Sequence, residues 1–179
     1  MRIFREWVLA IALYVALVVD SSLAFYLHQF MNLGPYGASC WLMPIGIMLI
    51  GLFDDMNGRE IWLALGAGVV ADIYTTGIIG IYTVFLPLSC WACQKAARFL
   101  PEIFLSRLIV VLIGVTLLDV YDWVILNMVG VISVGTVNLL VSLLINLIWS
   151  AIFTCATYWI WAILATRYPF MVDLNAYRQ

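Results

Sequence analysis

Six long apolar stretches, separated by short polar connections, account for most of this chain of 179 residues. A helix needs about 20 apolar residues to cross the hydrocarbon core of a bilayer. The stretches run roughly over residues 7–27, 38–53, 58–75, 78–94, 104–128 and 137–165. We therefore predict an all-α integral membrane protein: one polytopic domain over residues 1–179 with about six transmembrane helices. The third and fourth stretches are short and form either a tilted hairpin or a re-entrant pair, which leaves five or six full spans.

The composition excludes a soluble domain. Only 10% of the residues are charged, while 66% are hydrophobic, and soluble domains carry about 25% charged residues. No basic patch is present, so nucleic-acid binding has no electrostatic basis. Arg2 and Arg5 precede the first apolar stretch, and Ser22-Leu23-Ala24 near its end resembles a signal-peptidase site. Because Asp20 lies awkwardly close to that site, we predict a first helix that is retained.

The positive charges predict the orientation. All eight Lys and Arg residues fall on one side of the predicted bundle, at the termini, in connections or in the first four residues of a stretch: Arg2, Arg5, Arg59, Lys95, Arg98, Arg107, Arg167 and Arg178. The connections around residues 32–35, 75–77 and 129–135 carry none. The positive-inside rule then places both termini in the cytoplasm. This argument holds for a tilted hairpin and for a re-entrant pair alike.

Four aspartates lie inside the apolar stretches: Asp20, Asp72, Asp119 and Asp122. A charged carboxylate at the bilayer centre costs about 2.5–3.5 kcal/mol, so such residues usually face the bundle or a wet cavity. One interpretation is an outward-opening site for a proton, a cation or a ligand. The other, which we favour, is protonated or hydrogen-bonded acids that stabilise helix packing. The two basic residues within the stretches, Arg59 and Arg107, lie at the opposite ends from the aspartates and do not pair with them.

Small residues precede two of these aspartates at steps of four, as in Ala12, Ala16 and Asp20, and in Ala64, Gly68 and Asp72. Residues four apart share a helix face, and small residues there allow two helices to approach closely. Asp119 and Asp122 are three apart and also share a face. We therefore expect these aspartates to point into helix contacts.

Polar side chains also recur at steps of four in the sixth stretch, at Asn138, Ser142, Asn146, Ser150 and Thr154. Such side chains form hydrogen bonds between helices, worth roughly 0.6 kcal/mol each in lipid. The receiving helix belongs either to this chain or to a partner, and a polar pore lining is the alternative. Pro87 removes a backbone donor from the fourth stretch and predicts a kink there.

Catalytic and metal-binding patterns are missing from the sequence. His28 is the only histidine, and it lies near a predicted outer interface without a nucleophile motif. Cys90 and Cys93 form a CxxC, which we interpret as two small buried side chains. Residues 54–60, Asp-Asp-Met-Asn-Gly-Arg-Glu, are typical of a cytoplasmic turn followed by a helix start. We predict no enzyme activity, no cofactor and no metal site.

One segment resembles a known family. Leu65-Gly-Ala-Gly-Val-Val-Ala-Asp-Ile-Tyr74, followed by Gly77 and Gly80, is similar to the most recognisable segment of the MreD family. The size, the helix count and the lack of soluble domains agree. The family also resembles, in fold, the S components of energy-coupling-factor transporters, which implies an S-component-like bundle.

The resemblance implies a role in bacterial cell shape. MreD proteins belong to the elongation machinery of the bacterial cytoplasmic membrane and have no known chemistry of their own. The implied partners are an MreC-like protein with one span, a SEDS glycosyltransferase and a class B penicillin-binding protein, together with membrane lipid. The implied function is a scaffold that helps regulate peptidoglycan synthesis. A bulky residue at Gly68 or Gly77 should then weaken the complex.

The alternative function is an S component or another small membrane transporter. An S component would bind a vitamin or a metal in an outward-facing pocket, to which the four aspartates would contribute. Ala12 and Ala16 would then provide the small residues by which such proteins dock on their transport module. Aspartates without nearby basic residues suit few vitamin carboxylates, which counts against this function.

Overall fold

The computed structural model describes residues 2–26, 39–54, 56–75, 77–130, 136–168 and 170, and none of these residues forms a strand. They contain six helices: α1 (Arg2–Tyr26), α2 (Leu42–Phe53), α3 (Arg59–Thr75), α4 (Tyr82–Ala97), α5 (Phe104–Val129) and α6 (Thr136–Arg167). Each helix coincides with one apolar stretch apart from a few residues at its ends. The predicted all-α fold class is therefore confirmed for the described part of the chain.

Several predictions from the sequence fall on residues outside the described part. These are the interfacial placement of His28, the outer connection at residues 32–35, residue 76 and residues 131–135 of the other two outer connections, and the positions of Asp55 and Arg178. Pro87, at which the sequence predicts a kink, lies within the described part. It is inside α4, and the helix continues through it from Tyr82 to Ala97.

The central helix is α2. Every residue from Leu42 to Leu52 is buried, and the helix packs against α1, α4, α5 and α6. A helix that is apolar on all sides belongs in the interior of a bundle. Its glycines permit close contacts: a Cβ atom added to Gly51 would lie 2.9 Å from the backbone oxygen of Cys90 in α4.

The outer helices turn apolar side chains away from the bundle. Exposed residues follow α5 and α6 at helical spacing: Ile109, Ile113, Leu117, Leu140, Leu144, Ile148 and Ile152. Three helical segments, Trp7–Tyr26, Phe104–Val129 and Asn138–Arg167, are long and apolar enough to cross a membrane. Contiguous apolar surface of this extent is unfavourable in water and suits lipid. The structure therefore has the character of a membrane protein.

Two turns use glycines with positive φ. Gly130 follows α5 with a φ of 77°, and its N–H donates to the carbonyls of Leu126 and Asn127, which is a common way to end a helix. Between α3 and α4, Gly77 has a φ of 67° and donates its N–H to the carbonyl oxygen of Asp72 at 2.7 Å. The second turn brings Asp72 close to the start of α4.

The two ends of the bundle differ in charge. The end at which α3 and α5 begin and α4 and α6 finish holds Arg59, Lys95, Arg107 and Arg167, and it is called the basic end below. The Arg107 guanidinium there lies 4.3 Å from the centre of the Phe53 ring. The opposite end, which holds Asp20, Asp72, Asp119 and Asp122, is called the aspartate end.

Candidate functional site

Asp20 of α1 holds the first turn of α2. Its carboxylate oxygens accept the backbone N–H of Leu42 at 2.8 Å and of Met43 at 3.0 Å. The first N–H groups of a helix have no partner within the helix and carry partial positive charge, so a carboxylate satisfies both demands. The contact is buried and joins residues 22 and 23 positions apart in the chain.

Asp72 at the end of α3 holds the first turn of α4 in the same way. It is fully buried, and its carboxylate accepts the backbone N–H groups of Gly80 at 2.8 Å, Tyr82 at 2.7 Å and Thr83 at 3.0 Å. The hydroxyl of Thr83 adds a fourth hydrogen bond at 2.6 Å. Asp72, Gly80 and the turn between them therefore form one capping unit at the aspartate end.

Asp119 belongs to a chain of hydrogen bonds that joins three parts of the fold. The side-chain amide of Asn146 in α6 donates to the Asp119 carboxylate in α5 at 3.0 Å. The amide oxygen of Asn146 accepts the backbone N–H of Ser39, which precedes α2, at 2.9 Å. At Asn146, the polar band of the sixth stretch therefore forms its hydrogen bonds with residues of this chain.

The remaining members of that band lie at different depths. Ser150 and Thr154 are buried, and the Thr154 hydroxyl donates to the Ser150 carbonyl at 2.6 Å. Asn138 and Ser142 are half-buried, and Ser142 lines a cavity of about 170 Å³ between α5 and α6.

Asp122 differs from the other three aspartates. Its Oδ1 atom is shielded from solvent and has no hydrogen-bond partner among the described residues. The side chain lines two cavities at the aspartate end: one of about 290 Å³ beside α1, α2 and α4, and the one of about 170 Å³ beside α5 and α6. Trp41 and Ser39 line both cavities as well.

The predicted small-residue face of α3 packs against other helices of this chain. A Cβ atom on Gly68 would lie 2.6 Å from the backbone oxygen of Tyr82 in α4, and Ala64 is buried in the core. Ala12 and Ala16 of α1 are partly buried and pack against the same core. These residues therefore allow close helix contacts inside the protein.

A separate apolar groove lies between α1 and α3, and the sequence analysis did not single it out. It has a volume of about 380 Å³ and is lined by Trp7, Ala10, Leu13, Tyr14, Leu17, Met43, Trp62, Leu63, Gly66, Ala67, Val70 and Phe170. A Cβ atom on Gly66 would meet nothing within 4 Å. The glycine pair at positions 66 and 68 was the available signal, but the pair alone does not say which of the two faces a groove.

The turn between α2 and α3 is anchored by polar side chains. Asn57 donates its side-chain amide to the carbonyl of Phe170 at 2.7 Å, and Gln94 of α4 donates to the Asn57 carbonyl at 3.0 Å. Glu60 follows in the first turn of α3, as the interpretation of a turn and a helix start requires, and its side chain is buried.

The described residues contain no group of three or more His, Cys, Asp or Glu side chains that could hold a metal ion. Cys90 and Cys93 are buried free thiols.

A comparison with protein families identifies the family of this chain. The family described as rod shape-determining protein MreD matches residues 1–168, a range that includes all six helices. The chain is a member of the MreD family. The family recognised from residues 65–80 is therefore confirmed over nearly the whole chain. No curated protein and no solved structure matches the chain, so the S-component-like arrangement stays a prediction.

Membership in the MreD family makes this protein a rod shape-determining membrane protein. The family is not a known enzyme family, and its members act in determining cell shape. The three long apolar helices agree with a location in a membrane.

Proposed function

We propose that this protein is a non-enzymatic membrane adaptor of the rod complex, the bacterial cell-elongation machinery. It binds an MreC-like protein with one transmembrane helix and helps regulate peptidoglycan synthesis. The observation that carries the proposal is the MreD family match over residues 1–168. The same match favours the adaptor over an S component of a transporter. The SEDS glycosyltransferase and the class B penicillin-binding protein are the further partners that this role implies.

The proposed setting is the bacterial cytoplasmic membrane, with six spans and both termini in the cytoplasm. The charge difference between the two ends of the bundle supports this orientation, because cytoplasmic loops carry the excess of Lys and Arg. The connections at the basic end would then face the cytoplasm. The short helices α3 and α4, with 17 and 16 residues, would cross as a hairpin locked by Asp72.

The groove between α1 and α3 is the proposed seat of the partner's transmembrane helix. Association of helices in lipid depends on close packing, which small residues permit. Ala10, Gly66 and Ala67 supply such residues here, and Gly66 leaves open space where a partner side chain fits. The face at Gly68, by contrast, already contacts the backbone of α4.

The experiment compares two substitutions that add the same bulk to different surfaces. Gly66→Leu fills the groove, whereas Ala156→Leu adds a side chain to the exposed face of α6. Each tagged variant is purified from its native membranes in mild detergent, and the recovered MreC-like protein is quantified. We expect Gly66→Leu to lower recovery about tenfold, equivalent to about 1.4 kcal/mol, and Ala156→Leu to leave it unchanged.

Two results would count against the proposal. Equal recovery with both variants would mean that the partner binds elsewhere on the surface. Recovery of paired ATPases and a coupling membrane subunit in place of an MreC-like protein would contradict the adaptor function itself. Thermal unfolding of both variants shows whether the fold is intact. Gly66→Leu should not lower the unfolding temperature, because a Cβ atom at this position would meet nothing within 4 Å.

A further inference from the structure

A cavity at the basic end is lined by two side chains of opposite charge. It has a volume of about 100 Å³ and lies where α2 and α4 end and α5 begins. Its wall includes Leu52 and Phe53 of α2, Ala97 of α4, Glu102 of the connection, and Arg107 of α5. Glu102 is exposed and Arg107 is half-buried, so neither charged side chain is sealed inside the bundle.

The guanidinium of Arg107 is held in position by uncharged groups. It donates one hydrogen bond to the hydroxyl of Tyr158 at 3.2 Å and lies 4.3 Å from the centre of the Phe53 ring. The two rings also pack against each other, with centroids 5.3 Å apart. The planar fork of a guanidinium matches the oxygens of a carboxylate or a phosphate. Arg107 therefore has N–H donors left for an anionic group.

The carboxylate of Glu102 limits which anion suits this cavity. Glu102 and Arg107 line the same wall, yet neither forms an ion pair with a described residue. Opposite charges attract and like charges repel at such short range. A purely anionic ligand would therefore be repelled by Glu102, whereas a ligand that carries both charges satisfies both side chains. The cavity suits a zwitterion.

The surroundings of the cavity indicate that this zwitterion is part of a lipid. Phe99, Ile103 and Leu105 lie in or next to the connection that forms the cavity and are 89%, 59% and 60% exposed. Large apolar side chains exposed at the ends of membrane helices suit the acyl region of a bilayer. Arg107 lies only about 4.5 Å along α5 from its first residue, Phe104. Basic pockets between membrane helices at this depth bind phospholipid headgroups.

We propose that the cavity at the basic end binds the headgroup of a phosphatidylethanolamine molecule. The phosphodiester oxygens accept hydrogen bonds from the guanidinium of Arg107. The ammonium group donates to the carboxylate of Glu102. The acyl chains extend along the exposed apolar residues that flank the cavity.

The test compares three phospholipids that carry the same acyl chains. The protein is purified in a mild detergent and mixed with phosphatidylethanolamine, phosphatidylglycerol and phosphatidylcholine, and native mass spectrometry measures how much of each it retains. Phosphatidylglycerol keeps the phosphate and lacks the ammonium group, while phosphatidylcholine keeps both charges but has no N–H to donate. Because both hydrogen-bonded contacts are charge-assisted, we expect phosphatidylethanolamine to be retained about fivefold over either of the other two lipids.

The variants separate the cavity from the general charge of the basic end. Arg107→Gln removes the guanidinium, so retention of phosphatidylethanolamine should fall about tenfold. Arg59→Gln makes the same change at an exposed position of the same end, outside the cavity, and should have no effect. Glu102→Gln removes the acceptor for the ammonium group, so the preference for phosphatidylethanolamine over phosphatidylglycerol should disappear. Because Glu102 is exposed, this variant provides a second test if Arg107→Gln fails to fold without its contact to Tyr158.

Each outcome supports or overturns the inference. Selective retention of phosphatidylethanolamine that depends on both Arg107 and Glu102 supports it. The inference is wrong if the three lipids are retained equally, if phosphatidylglycerol is preferred, or if Glu102→Gln keeps the original preference. It is also wrong if Arg59→Gln lowers retention as much as Arg107→Gln does, since the charge of the whole end would then be responsible. None of these outcomes bears on the partner groove between α1 and α3, so the proposed adaptor function is tested separately.

Discussion

Removing the Asp72 carboxylate should destabilise the fold more than removing any other carboxylate at the aspartate end. In Asp72→Ala, three backbone N–H groups and the Thr83 hydroxyl lose their acceptor. A buried donor left unsatisfied costs about 1–3 kcal/mol. The Tyr82 N–H is buried, while those of Gly80 and Thr83 are part-buried and regain some hydrogen bonding from water. We therefore expect a loss of about 3 kcal/mol in the free energy of unfolding.

The assay is reversible unfolding in mixed micelles of a mild detergent and dodecyl sulfate, followed by circular dichroism. Hydrogen exchange adds a local readout, since the first-turn amides of α4 should exchange faster in the variant. Asp122→Ala is the matched control, because the Oδ1 atom of the carboxylate that it removes accepts no hydrogen bond from the described residues. It should change the free energy of unfolding by less than about 1 kcal/mol. If Asp72→Ala costs as little as Asp122→Ala, the capping role of Asp72 is refuted.

Two further predictions concern the same end and the orientation. Asp20→Asn keeps one carbonyl acceptor for the first turn of α2, so it should cost about 1–2 kcal/mol in the unfolding assay, and a loss as large as that of Asp72→Ala would contradict this reasoning. In a background without native cysteines, Met128→Cys should react with a membrane-impermeant maleimide in intact cells, whereas Glu102→Cys should react only after the cells are opened. The reverse pattern would overturn the proposed orientation.

The sequence predicted that the aspartates lie in helix contacts, but it did not predict what they bind. The steps of four placed Asp20 and Asp72 on faces with small residues, and in the structure both aspartates are buried while Ala12 and Ala16 are partly buried. Their partners lie 22 and 10 residues further along the chain. A capping residue usually lies directly before the helix that it caps, so no local pattern connects these carboxylates to α2 and α4.

The sequence could not assign different roles to residues of the same type that lie two or three positions apart. Asp119 and Asp122 share a face of α5, and only the way in which α5 packs on α6 decides that Asn146 meets Asp119. Gly66 and Gly68 are two positions apart and so face roughly opposite sides of α3. The sequence does not distinguish the two glycines. In the fold, Gly68 packs against the backbone of α4, whereas Gly66 faces the open groove.

The burial of α2 has a consequence for how the protein is made. With 12 residues, α2 is about 18 Å long, which is too short to cross a bilayer core of about 30 Å by itself. The backbone amides of Leu42 and Met43 need the Asp20 carboxylate as their hydrogen-bond acceptor. The sides of α2 pack against α4, α5 and α6, which the ribosome synthesises later. A nascent chain that stops after α2 therefore lacks the surroundings that make this helix stable in lipid. We therefore expect α2 to become stable in the membrane only when α4 and α6 pack around it.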